Sequence, residues 1–232
     1  MRSPGMLACL LVLLALGLPS AAAEEKAAPA PPGGELWFDP TQLPSFTGTV
    51  ERYLPNPRGE TDALLFREGP QVVFPPDVAA AVQRVAPPGE TLVVWGIRAR
   101  RAPVITMLAF GATGEDTPTV VERPYWRWTG ADPQDRMQRL QVAGKVMQPY
   151  YSPQGETVGA ILDDGTVVML PQDAADSKDL AELLRPGATL AAEGLGTAAP
   201  DRRALRADRI GKDPETLRPV AAPATAEQPA PR

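Results

Sequence analysis

Two stretches of the chain carry the same succession of apolar and polar segments. FTGTVERYL (46–54) and LQVAGKVMQ (140–148) open them, TDALLFREG and TVGAILDDG follow as apolar runs ending in a glycine turn, and QVVFP and TVVMLP complete a hairpin. Each set predicts three strands. After Pro75 the period lengthens: Val78, Val82 and Val85 recur at helical spacing, as do Leu180, Leu183 and Leu184. These predict one helix per stretch, with Asp77 and Asp173 as expected N-caps and APPG (86–89) and RPG (185–187) as stops. TLVVWGI and TLAAEGL then predict fourth strands, and APVITMLAF and RALRADRI fifth strands. The expectation is a mainly β chain of two consecutive five-stranded units, with a helix between strands three and four of each.

The parallel extends to single residues. At a constant offset of 96, Gly48, Val50, Pro57, Gly59, Glu60 and Thr61 match Gly144, Val146, Pro153, Gly155, Glu156 and Thr157. Gly69, Val72 and Pro75 then match Gly165, Val168 and Pro171. After two inserted residues, Gly89, Leu92 and Gly96 match Gly187, Leu190 and Gly194. An ordered series of turn glycines and core positions is the signature of internal duplication. Gly48 and Gly144 fall within strands, where glycine is expected at a sharp bend such as a barrel corner.

The amino end changes the picture of where the chain works. Arg2, the 13-residue apolar run from Met6 to Leu18 and the small residues Ala21 to Ala23 have the pattern of a secretory signal peptide. The run is short for a bilayer span, so cleavage near Ala23 and export to the periplasm or beyond the cell are expected, with no membrane span afterwards. Cleavage removes Cys9, the one cysteine, and the chain has no histidine. Disulfides, Cys/His zinc sites, cysteine nucleophiles and Ser-His-Asp triads are thereby excluded from the mature form. Ser45, Ser152 and Ser177 begin no S-x-x-K motif. The expected boundaries are a signal at 1–23, a Pro/Ala-rich linker at 24–45, a first unit at 46–111, an aromatic linker at 112–139, a second unit at 140–212 and a Pro/Ala-rich disordered tail at 213–232.

The order strand-strand-strand-helix-strand-strand resembles the OB-fold, a five-stranded Greek-key barrel. The chain also resembles a group of secreted bacterial proteins of unassigned activity, through GTV, PRGE, PQGE, DGTVVMLP, PPG and RPG. The first copy departs from that pattern, with Glu68-Gly69-Pro70 where the second has Asp164-Gly165-Thr166. The resemblance implies two tandem OB-fold-like barrels and export. It also implies a ligand surface on the exposed face of strands two and three and on the loops joining strands one to two and four to five.

Candidate binding residues follow from those surfaces. The turn NPRGET (56–61), repeated as SPQGET (152–157), presents Tyr53 and Arg58 in one copy and Tyr150 and Tyr151 in the other. Aromatics there could stack on a base or sugar, while Pro and Gly alone account for a tight connection. Between strands four and five lie Arg98, Arg100 and Arg101, and correspondingly Arg202, Arg203, Arg206 and Arg209. Guanidinium groups there could hold phosphates, sulfated sugars or carboxylates, or could simply solubilise an edge. Trp126 and Trp128, interleaved with Arg127, form a stacking platform or an interdomain packing element.

Charge tempers the nucleic-acid option: the formal net charge is −5, and loss of Arg2 makes it −6. The leading expectation is therefore a non-enzymatic exported binding or interaction protein without cofactor or metal, whose partner is an envelope protein or an anionic ligand. The alternatives are a single-stranded nucleic-acid or anionic-glycan binder, and a carboxylate-dependent cell-wall glycan hydrolase using Glu60 and Glu156.

Overall fold

The computed structural model describes residues 38–113, 117–123, 137–171, 174, 178–200 and 202–220. They form a mainly β body of two six-stranded sheets. The first contains β1 (Ser45–Pro55), β2 (Thr61–Phe66), β3 (Gln71–Val73), β4 (Thr91–Arg98), β5 (Val104–Ala112) and β6 (Thr119–Val120). The second contains β7 (Gln138–Tyr151), β8 (Thr157–Leu162), β9 (Val167–Met169), β10 (Thr189–Ala199), β11 (Arg202–Gly211) and β12 (Arg218–Pro219). Helix α1 (Ala79–Val85) lies between β3 and β4, and α2 (Lys178–Leu183) between β9 and β10.

The second sheet closes into a five-stranded barrel. β7 pairs with β8 and β10, β8 with β9, β9 runs parallel to β11, and β10 pairs with β11. In the first sheet β1 pairs with β2 and β4, β2 with β3, β4 with β5, and β3 runs parallel to β5. β6 and β12 add to the last long strand of each sheet. Their two-residue length leaves too little alternation to be read from sequence.

The duplicated punctuation has matching work in both sheets. Register breaks once between Val50 and Arg52 and again between Val146 and Gln148, leaving Glu51 and Met147 as bulge residues. The turn that ends each helix docks at this bulge: the Gly89 amide donates to the Val50 carbonyl at 2.7 Å, and Gly187 to Val146 at 2.8 Å. A bulge twists and bends its strand, so the expected corner falls two or three residues beyond Gly48 and Gly144. Gly48 itself answers to packing, because a Cβ there would lie 2.5 Å from the Phe66 ring.

The expected cap at Asp77 is corrected. Asp77 sits inside a 3-10 turn, Pro76–Val78, that leads into α1, and the helix has no side-chain cap. Its carboxylate instead pairs with Arg123 at 2.7 Å. Pro75 and Pro76 force this tight entry by fixing φ and removing amide donors. Asp173 lies outside the described residues.

Each sheet encloses its own apolar core. Val50, Leu64, Phe66, Val72, Phe74, Val82, Leu92, Val94 and Phe110 are among those buried in the first. Val146, Leu162, Val168, Leu184, Leu190, Leu205 and Ile210 are among those buried in the second. Every residue of β2 is buried, including Ala63 and Leu65, whose side chains alternate away from Leu64 and Phe66. They belong to a third cluster that spans both halves: Leu54, Ala63, Leu65, Val73 and Val104 pack with Tyr150, Ile161, Val167 and Ala204. The pairs Leu54 and Tyr150, Leu65 and Ile161, and Val104 and Ala204 occupy equivalent strand positions, so the copies join through the same face. Each fully buried aliphatic side chain of this kind contributes about 1.5–3 kcal/mol relative to exposure. No helix among the described residues is long and apolar enough to cross a membrane.

Candidate functional site

The repeated turn is built alike in both copies. In the first, the Gly59 amide donates to the Asn56 carbonyl at 2.9 Å and the Asn56 amide to the Glu60 carbonyl at 2.8 Å. In the second, Gly155 donates to Ser152 at 2.9 Å and Ser152 to Glu156 at 2.8 Å. The glycines have φ of 84° and 87°, the left-handed region that other residues adopt only at a cost. Asn56 completes its turn with Oδ1, which accepts from the amides of Arg58 and Glu60 at 3.0 and 3.1 Å.

Each turn then lies against the other copy. A Cβ added to Gly59 would stand 3.0 Å from Thr197 Oγ1, on β10. One added to Gly155 would stand 2.9 Å from the Cβ of Ala99 and 3.3 Å from that of Ala102, in the β4–β5 hairpin. The two turns therefore clasp the halves reciprocally, each bracing the hairpin of the opposite half. That contact accounts for the duplicated motif without a ligand.

Of the candidate aromatics, Tyr53 is tied inward, its hydroxyl donating to the Ala86 carbonyl at 2.8 Å. Burial pushes its ionisation up. Tyr150 is 4% exposed within the interface cluster. Tyr151 is half-buried there, and its backbone amide and carbonyl both bond the Gln71 side chain at 3.0 Å. The expectation of an open ligand face on strands two and three is corrected in the same place: Ala63, Leu65 and Val73 are covered by the second half. The face is apolar, and water is excluded from it by an equivalent apolar face. Trp126 and Trp128 lie outside the described residues.

The arginines divide between the copies. Arg98, Arg100 and Arg101 are exposed, have no ion pair or hydrogen bond from their guanidinium groups among the described residues, and line an open depression of about 510 Å³ with Ala99, Ala102 and Pro103. Ala99 and Ala102 turn toward the second half while the arginines turn to solvent. In the other copy Arg203 pairs with Asp164 at 2.6 Å and Arg209 with Glu193 at 3.1 Å, while Arg202 reaches Thr61 Oγ1 at 3.4 Å across the interface. Arg206 is exposed. Arg58 is exposed at its turn, with no side-chain partner among the described residues.

Two polar residues missed by pattern reading are buried between these features. Gln71 has no exposed surface. Asp62 is 6% exposed, and Asn56 Nδ2 donates to its Oδ2 at 3.1 Å. Burial, helped by the charge of Glu60, pushes its carboxyl up to about 7 against the opposing pull of Asn56 and the Tyr150 hydroxyl. The one signal in the sequence was that the four residues 63–66, ALLF, are too continuously apolar for a strand with a wet face.

The two carboxylates of the expected hydrolase pair stand on the two repeated turns. Glu60 accepts from Asn56 Nδ2 at 3.2 Å inside its turn, and Glu156 is exposed on the turn of the other copy. No group of three His, Cys, Asp or Glu among the described residues is placed to hold a metal ion. No family model and no curated protein matches the chain.

Proposed function

We propose that the chain is an exported, non-enzymatic binding protein made of two OB-fold-like barrels clasped into one body, with its recognition surface at the arginine-bearing β4–β5 hairpin. The strand pairings support the barrel reading: β1-β2-β3-β5-β4-β1 in one half and β7-β8-β9-β11-β10-β7 in the other, with the third and fifth strands parallel. The signal-like amino end supports export. The observation that carries the function is the hairpin itself, where three guanidinium groups without partners among the described residues border an open depression. Loops on a rigid barrel are where recognition is commonly placed, since they vary without disturbing the core.

Turnover is the test. Purified protein spanning 24–232 should release no product from cell-wall glycan, chromogenic glycosides or esters. Sustained release abolished by Glu60→Gln or Glu156→Gln would replace this reading with the carboxylate hydrolase.

A further inference from the structure

Resting on that reading, we infer that the Arg98–Pro103 hairpin binds a phosphate or diphosphate group, and that the second half's repeated turn holds the hairpin in shape to do so. The stretch from Thr91 to Gly114 contains no acidic residue, yet places three arginines within four positions. Like charges so close repel, whereas in the second copy Arg203 and Arg209 are paired with Asp164 and Glu193. In the first copy Glu68, at the position of Asp164, accepts instead from the Thr49 amide at 3.0 Å, and no carboxylate among the described residues pairs with the three arginines, so an external anion is the natural counterion. Three cations suit a group bearing two or three negative charges better than a single carboxylate. The planar donors of arginine match phosphate oxygens two at a time.

The surroundings narrow the class further. Among the described residues no aromatic side chain lines the depression, so this surface gives a base nothing to stack on and favours recognition of the phosphate itself. Ile97, 52% exposed at the approach to Arg98, offers an apolar flank to whatever carries the phosphate. Beneath the arginines, Ala99 and Ala102 rest on the Gly155 turn, whose missing side chain lets the two backbones approach. A hairpin held this way loses less freedom on binding than an unsupported one.

The experiment titrates inorganic pyrophosphate into protein spanning 24–232, and in parallel tests retention on phosphatidylcholine vesicles with and without phosphatidic acid. The wild type should bind saturably in at least one phosphate arm, and which arm responds separates a soluble phosphate compound from a lipid headgroup. Arg98→Ala/Arg100→Ala/Arg101→Ala should weaken binding by about tenfold or more, equivalent to about 1.4 kcal/mol. Arg203→Ala/Arg206→Ala/Arg209→Ala removes as much charge and should leave affinity within about twofold, because two of its arginines are already paired. No saturable binding in either arm, or equal losses in the two triple variants, would overturn the assignment. The binding-protein reading would survive such a failure, since only turnover displaces it.

Discussion

Gln71 on β3 grips the backbone of Tyr151 at the end of β7 with both ends of its amide, Nε2 donating to the carbonyl and Oε1 accepting from the N–H, each at 3.0 Å. The equivalent position in the second copy is Val167, so this polar contact has no counterpart there and breaks the symmetry of the interface. It engages both backbone groups of Tyr151 and links residues 80 positions apart.

Gln71→Leu should therefore cost more than its gain in hydrophobicity returns. Two partly buried backbone groups would lose their partners, at about 1 kcal/mol each. The urea midpoint of the full chain should fall, and an unchanged midpoint would show that water replaces the amide.

Asp62 gives a pH dependence of definite sign. Its folded carboxyl sits near 7, above the ordinary value of 3.8, so the folded chain keeps a proton that the unfolded chain has lost. Its contribution to stability is complete below about pH 4, declines as pH rises toward about 7, and is level above that. Asp62→Asn, which cannot ionise, should be more stable than wild type at about pH 8 and similar to it at about pH 4. Urea denaturation at those two pH values checks this. A constant difference between the two proteins would place the proton elsewhere.

Gly48→Ala should push directly on Phe66, because the added carbon would meet the ring at 2.5 Å. Overpacking of this kind costs about 1–3 kcal/mol. The double variant Gly48→Ala/Phe66→Leu should be less destabilised than the sum of the two single changes, which a thermal-unfolding double-mutant cycle measures.

Gly155 and Gly187 share a φ of 87°, but only Gly155 meets the other half. Alanine at Gly187 should show backbone strain alone, about 1 kcal/mol. Alanine at Gly155 should add to that the displacement of Ala99, and should also weaken pyrophosphate binding through the hairpin. Equal effects of the two substitutions on both readouts would mean that the turn does not brace the arginines.

Local features were legible because they are written in local rules. Alternation with period two marks strands, Val78, Val82 and Val85 mark a helix, and Gly59 and Gly155 mark positions of positive φ that recur wherever the turn recurs. Asp77 failed as a cap because its neighbouring prolines, not its carboxylate, govern how the chain enters α1. Tyr53 and Tyr150 could not be sorted from sequence, since an aromatic beside a turn looks the same whether its hydroxyl meets solvent or a buried carbonyl.

The sequence by itself determined that the chain is duplicated, that it is mainly β, and which residues make its turns, because each of these depends on neighbours within a few positions. Only the tertiary structure decided that the apolar faces of β2 and β8 meet each other, that Asp62 and Gln71 are sealed beneath them, and that Arg203 has a carboxylate while Arg100 has none among the described residues. Those outcomes depend on distances between residues tens of positions apart, and the pairing of strands within the two sheets and the packing between them set those distances.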